Sequence, residues 1–277
     1  MKDNLYENPP QIVSPLHIAA KKNQIDQVES YIKAGTPVDP IDKKGCTPLH
    51  LALKKGHFEV TKYLLEAGAS WDKKNNAGWA AIHFATLSGN NEALTYLIRL
   101  GVDIQVQTST QSLPIHIASN YGKFIILRKL IPHHDDINAK NQLGRTAFSY
   151  AAECGHLQIL KCLIEHKANP HEVSPGGNNA LHFASVKGHL GVIQYLVNEL
   201  GVDINQKNKD GNAPIHVAAT RADDKTIKLL IQLGANLHEK GAKSCTPVLF
   251  LHFSQSPSCR PHRLSLIQTS HLEVRWV

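Results

Sequence analysis

The chain has 277 residues, 42% of them apolar and only 6% aromatic, a balance too apolar for disorder and suited to short helices packed through Leu, Ile, Val and Ala. Its net charge of +7 draws on a tail that holds five Lys and Arg against two Asp and Glu from Glu239 onward, and no aromatic RNA- or DNA-reading motif accompanies it, so nucleic-acid binding is not expected. The 5 cysteines include no CxxC pair, which argues against a disulfide framework or zinc ribbon, and no apolar run approaches membrane-spanning length.

Residues 1–13 are polar and Pro-containing, without the apolar stretch of a secretory signal, and are expected to form an extended lead-in. A short pattern then opens at Ser14 and recurs along the chain; its fullest form is Thr47-Pro48-Leu49-His50-Leu51-Ala52. The copies begin at Ser14, Thr47, Ala80, Leu113, Thr146, Asn179, Ala213 and Thr246, at intervals of 33 residues with a single interval of 34. A period in this range is the signature of a stacked solenoid, in which no unit can bury its apolar faces alone. One elongated repeat domain over 14–251 is therefore expected, followed by a divergent tail over 252–277.

Within the second copy, Gly45 suits a tight turn, Thr47 an N-cap and Pro48 the first helical position, where its missing N–H costs nothing. A helix from Leu49 to near Lys55 stops at Gly56, and a second runs from near Phe58 to Glu66 and closes at Gly68. The departures matter too. Gln111 stands at the loop-glycine position, and His134 and Lys167 stand where a helix-ending glycine belongs, so those loops are expected to be irregular. Asn23 and Ala222 replace the inter-helix glycine, and the longer interval points to a bulge or wider turn at Asn198-Glu199-Leu200. After Leu251 the pattern fades; 245–277 lacks alanine altogether and reads as a degenerate eighth repeat with a truncated or divergent end.

The 17 histidines invite a metal or catalytic reading. His17, His50, His83, His116, His182 and His216 occupy one position in successive units, however, and packed helices about 8–10 Å apart cannot bring such residues to one ion. They are expected to be structural, bonded to the adjoining turn. His57, His156 and His189 follow inter-helix glycines and are assigned to turns. His133, His134, His166 and His171 remain as the best metal candidates, but two of them are again one repeat apart, so no metal site is expected. Cys154 and His156 do not share a helix face and lack an orienting third residue. With no phosphate-cradling loop and no nucleophile elbow, neither cofactor nor catalysis is expected.

The TPLH-like core, the inter-helix glycine, the helix-ending glycine and the loop glycine at one period make the chain resemble the ankyrin-repeat family from about Ser14 to Leu251. The resemblance implies an all-α solenoid of seven full repeats and a degenerate eighth, with projecting β-hairpin loops. It also implies a non-catalytic adaptor that binds a protein in a concave groove lined by loop tips and first-helix ends. On that map, repeats one and two present Lys21, Lys22, Lys43, Lys44, Lys54 and Lys55, an electropositive end suited to an acidic segment. Repeats three and four present Trp79, Leu87, Tyr121 and Leu143 as an apolar patch. A monomeric cytoplasmic protein is expected, with nuclear or host-cell residence as alternatives. An inhibitory or targeting subunit of an enzyme complex is the alternative function. The Lys, Asn, Gln and Ile usage is similar to that of ankyrin-repeat effectors delivered by intracellular bacteria.

Overall fold

The computed structural model describes residues 13–221, 223–238, 240 and 241. The lead-in over 1–12, Ala222, the eighth copy at Thr246 and the tail over 252–277 lie outside the described residues. Among the described residues the chain is helical, with 14 α-helices in seven pairs and no strand. It divides into two compact units, Met1–Pro114 and Ile115–Val277. No described helix is long and apolar enough to cross a membrane.

In the first unit the pairs are α1 (Pro15–Lys21) with α2 (Ile25–Lys33), α3 (Pro48–Lys55) with α4 (Phe58–Glu66), and α5 (Ala81–Ser88) with α6 (Asn91–Arg99). The first helices α1, α3 and α5 stack on one another, and the second helices α2, α4 and α6 stack beside them. Each first helix of this unit follows an extended residue, and in α1 and α3 that residue's hydroxyl caps the helix. Thr47 has φ −89° and ψ 166°, Pro48 follows at the first helical position, and the Thr47 hydroxyl accepts the His50 N–H at 3.4 Å. Gly56 ends α3 in the left-handed region at φ 74°. The apolar stripes so aligned bury Leu16, Leu49, Leu53, Leu64, Leu94 and Leu97 completely.

The second unit holds α7 (Pro114–Asn120) apart from its first residue, then α8 (Phe124–Leu130) and a 3-10 turn, Ile131–His133. Three further pairs follow: α9 (Ala147–Glu153) with α10 (Leu157–Glu165), α11 (Ala180–Lys187) with α12 (Leu190–Asn198), and α13 (Pro214–Ala219) with α14 (Asp224–Gln232). Here α9, α11 and α13 stack in turn. The core is built from Leu127, Leu130, Leu160, Leu163, Leu181, Ile193 and Leu196, all with no exposed surface.

The loops between pairs close as tight turns. Asp42 N–H donates to Cys46 O at 2.9 Å and Gly45 N–H to Asp42 O at 2.8 Å, while the Asp42 carboxylate accepts from Lys44 N and Cys46 N at 2.8 Å each. Successive tips are tied together, Asn76 N to Lys44 O and Ser109 N to Ala77 O in the first unit and Lys209 N to Gly176 O in the second, each at 3.0 Å. This contact is close enough that a Cβ on Gly177, at φ +77°, would lie 2.8 Å from Lys209 N.

Two of the three expected irregular loops are regular. Gln111 takes φ 58° and donates to Thr108 O at 2.9 Å, as Gly78 donates to Asn75 O at 2.8 Å. Lys167 takes φ 66°, with Ala168 N bonded to Leu163 O at 2.9 Å. The surrounding hydrogen bonds hold a side-chain-bearing residue in the left-handed region, at a cost of about 1–2 kcal/mol. His134 does differ, following the 3-10 turn at φ −99°. The longer interval is absorbed after α12: Val202 N reaches six residues back to Leu196 O at 2.9 Å, where Ala168 N reaches five.

Candidate functional site

The repeated histidines are buried between first helices and loops, and in His17, His50, His83 and His182 both ring nitrogens are engaged. In repeat two, Thr47 N–H donates to His50 Nδ1 at 3.1 Å, and His50 Nε2 donates across to Lys73 O at 3.1 Å. His83 repeats this with Ala80 N at 3.0 Å and Val106 O at 3.0 Å, and His182 with Asn179 N at 3.3 Å and Asn212 O at 3.0 Å. His17 reaches Cys46 O and His116 reaches Ala139 O, both at 2.9 Å. His216 has no exposed surface. An imidazole that accepts a backbone N–H at Nδ1 and donates at Nε2 is held neutral. Burial accordingly pushes His50, His83, His116 and His182 down to about 4. The turn histidines face the other way, with Nε2 of His57, His156 and His189 on Lys21 O, Asn120 O and Glu153 O at 3.1, 3.3 and 2.8 Å.

The surface of repeats one and two is basic. Lys21, Lys22, Lys43, Lys44 and Lys55 are exposed and Lys54 is half-buried. Partial burial lowers the Lys54 amine below its usual value first, and repulsion from Lys44, Lys55 and Lys21 adds to it while Cys46 opposes. Amines from two first helices and one loop tip thus converge. The same two repeats expose Ile18 (44%) and Ile41 (48%), which the sequence reading passed over. Ile18 occupies the position after the repeated histidine; the matching Phe84 is buried, so the periodic pattern alone could have flagged an apolar residue left uncovered at the first repeat.

Of the residues expected to form an apolar patch in repeats three and four, Trp79 is folded inward. Trp79 is 7% exposed, with its ring 5.4 Å from Phe84 and 5.8 Å from His83, and its backbone N–H donating to Asn75 Oδ1 at 2.9 Å. Its ring covers the start of α5 because Phe84 and His83 offer it an aromatic bed, which is worth more than exposure to water. Leu87, Tyr121 and Leu143 are half-buried, Leu87 in the first unit and the other two in the second.

Repeat five departs in its chemistry. Ser149 occupies the histidine position and Arg145 lies buried beside it, with guanidinium nitrogens 3.4 and 3.3 Å from Ser149 Oγ and O. The guanidinium sits 4.5 Å from the Tyr150 ring and 3.9 Å from that of Phe183, and pairs with Glu153 at 2.5 Å. The Arg145 and Glu153 side chains are 7% and 9% exposed. Of the histidines weighed as metal ligands, His166 lies beside Cys162 and Glu165.

A family model described as "Ankyrin repeats (3 copies)" matches residues 16–108 and again 115–208, and one described as "Ankyrin repeat" matches 210–242. A crystal structure of the human ASB11 ankyrin repeat domain is similar in fold, with a TM-score of 0.71 and 23% identity over 80% of this chain and 99% of that one. No curated protein sequence matches the chain. Repeats of this kind are typically non-catalytic scaffolds for protein interaction. With models of the repeat covering most of its length, and helix pairs, capping turns and loop tips recurring at the same period, the chain belongs to the ankyrin-repeat family.

Proposed function

We propose that the chain is a non-catalytic adaptor that binds a partner protein carrying an acidic segment, through the face of repeats one and two. The supporting observation is that the Lys54 amine, lowered first by its partial burial, is lowered further by Lys44, Lys55 and Lys21, in the same two repeats that leave Ile18 and Ile41 uncovered. Crowded amines cost electrostatic energy in the free protein, and an incoming carboxylate relieves it. The neighbouring isoleucines offer the apolar anchor that charge alone lacks. Like-charged clusters of this kind accelerate encounter more than they slow escape.

The test compares partners captured on the immobilised wild-type chain with those captured on Lys44→Glu/Lys55→Glu and on Lys225→Glu/Lys228→Glu, the latter pair exposed on α14 of the second unit. The first variant is expected to weaken binding at least about tenfold, mainly through a slower association rate that converges on wild type as salt is raised. The second is expected to bind as wild type. Equal affinity of the first variant and wild type overturns the assignment.

A further inference from the structure

We propose that Cys162, Glu165 and His166 form a binding site for a soft divalent cation of the zinc class at the C-terminal end of α10. Their positions are i, i+3 and i+4, which places three side chains on one helical face. The Cys162 Sγ, a Glu165 carboxylate oxygen and a His166 ring nitrogen all lie within 4.8 Å of one another. The Sγ and Nδ1 are 4.0 Å apart. Bonds of about 2.3 Å to sulfur and 2.0 Å to nitrogen in a tetrahedron set the two ligand atoms about 3.5 Å apart, so a small side-chain rotation closes the site.

The donor set selects the ion. A thiolate and an imidazole favour zinc over magnesium or calcium, and thiolate plus carboxylate match a doubly charged cation. Three protein ligands leave a fourth position for water. Cys162 is buried beneath the exposed Glu165 and His166, so the ion enters from solvent through the latter two. His166 Nδ1 now donates to Cys162 O at 2.8 Å; ligation at Nδ1 requires the other tautomer, with the proton on Nε2 facing water. A thiol ligates such an ion only as its thiolate, so the incoming ion displaces the Cys162 proton, which leaves to solvent. The site lies at the carbonyl end of α10, where the helix dipole favours a cation.

The other repeats supply an internal contrast. The position of Cys162 is Tyr63, Tyr96 and Tyr195 elsewhere, and that of His166 is Ala67, Leu100 and Glu199. Repeat five alone carries three ligating residues in this turn.

The reduced, untagged full chain is titrated with Co2+ and then Zn2+. One Co2+ per chain is expected to give a thiolate charge-transfer band that Zn2+ abolishes, with release of about one proton. Cys162→Ser is expected to remove the band, and His166→Gln to weaken binding at least about tenfold, while His133→Gln binds as wild type. In the wild-type chain, one equivalent of Zn2+ is expected to slow alkylation of Cys162, read by peptide mass spectrometry, at least about tenfold. That readout does not depend on the Cys162→Ser variant folding. Absence of the band, its survival in Cys162→Ser, or unchanged alkylation overturns the proposal.

Discussion

In repeat two, a neutral imidazole joins the first helix to the next loop: His50 holds Thr47 N–H on one side and Lys73 O on the other. In repeat five the same position is Ser149, and the fastening passes to a buried guanidinium that touches Ser149, stacks on Tyr150 and Phe183 and pairs with Glu153. The first arrangement dehydrates an uncharged ring and returns two hydrogen bonds. The second dehydrates two charges and offsets that with their mutual attraction and the aromatic faces. A missing signature residue therefore marks a change of fastening chemistry rather than a gap, and the two junctions are vulnerable to different insults.

The largest expected effect breaks the charged junction. Glu153→Ala leaves Arg145 buried without its counter-charge and should lower the unfolding free energy by about 3–5 kcal/mol, measured by urea denaturation. A loss below about 1 kcal/mol would mean that the pair contributes no more than a surface contact. Acid attacks the other kind of junction. For His50, His83, His116 and His182 the folded value is about 4, below the 6.5 of the unfolded chain. As pH falls through 6.5 the unfolded chain binds protons that the folded chain refuses, so stability is full above that point and declines until about pH 4. Each histidine should contribute about 3 kcal/mol to that decline. Urea midpoints at neutral and mildly acid pH measure it, and a flat profile would contradict the buried neutral ladder. The smallest effect tests whether repeat five also stores backbone strain. Lys167→Gly relieves a side chain held at φ 66° and should raise stability by about 1 kcal/mol or less; a fall would show that the loss of unfolded-state restriction dominates.

The fold was legible because its punctuation is periodic: Thr47, Pro48 and Gly56 state a helix start and stop in local terms that the neighbours repeat. The site was less legible, because the repeat says which positions face outward on average and not which neighbour covers them. Trp79 sits at a position open in principle, yet Phe84 and His83 are both aromatic and draw it in. Gln111 and Lys167 look like faults in the sequence because propensity is read one residue at a time, whereas hydrogen bonds across the turn impose the left-handed backbone on whichever residue stands there. The Arg145–Glu153 pair had a signal, a histidine exchanged for serine with an arginine four residues before it, but only three-dimensional proximity to Phe183 makes it a single device.

The atoms that receive the histidine bonds are backbone carbonyls, and the residues carrying them are Cys46, Lys73, Val106, Ala139 and Asn212. A thiol, an amine, a branched alkyl group, a methyl and an amide have nothing in common, and nothing is asked of them, since every amino acid brings the same oxygen. The joint constrains the giver and asks of the receiver only its backbone oxygen. Where the receiver reaches the surface, as at Lys73, a substitution can therefore change what the protein presents while the stack stays joined.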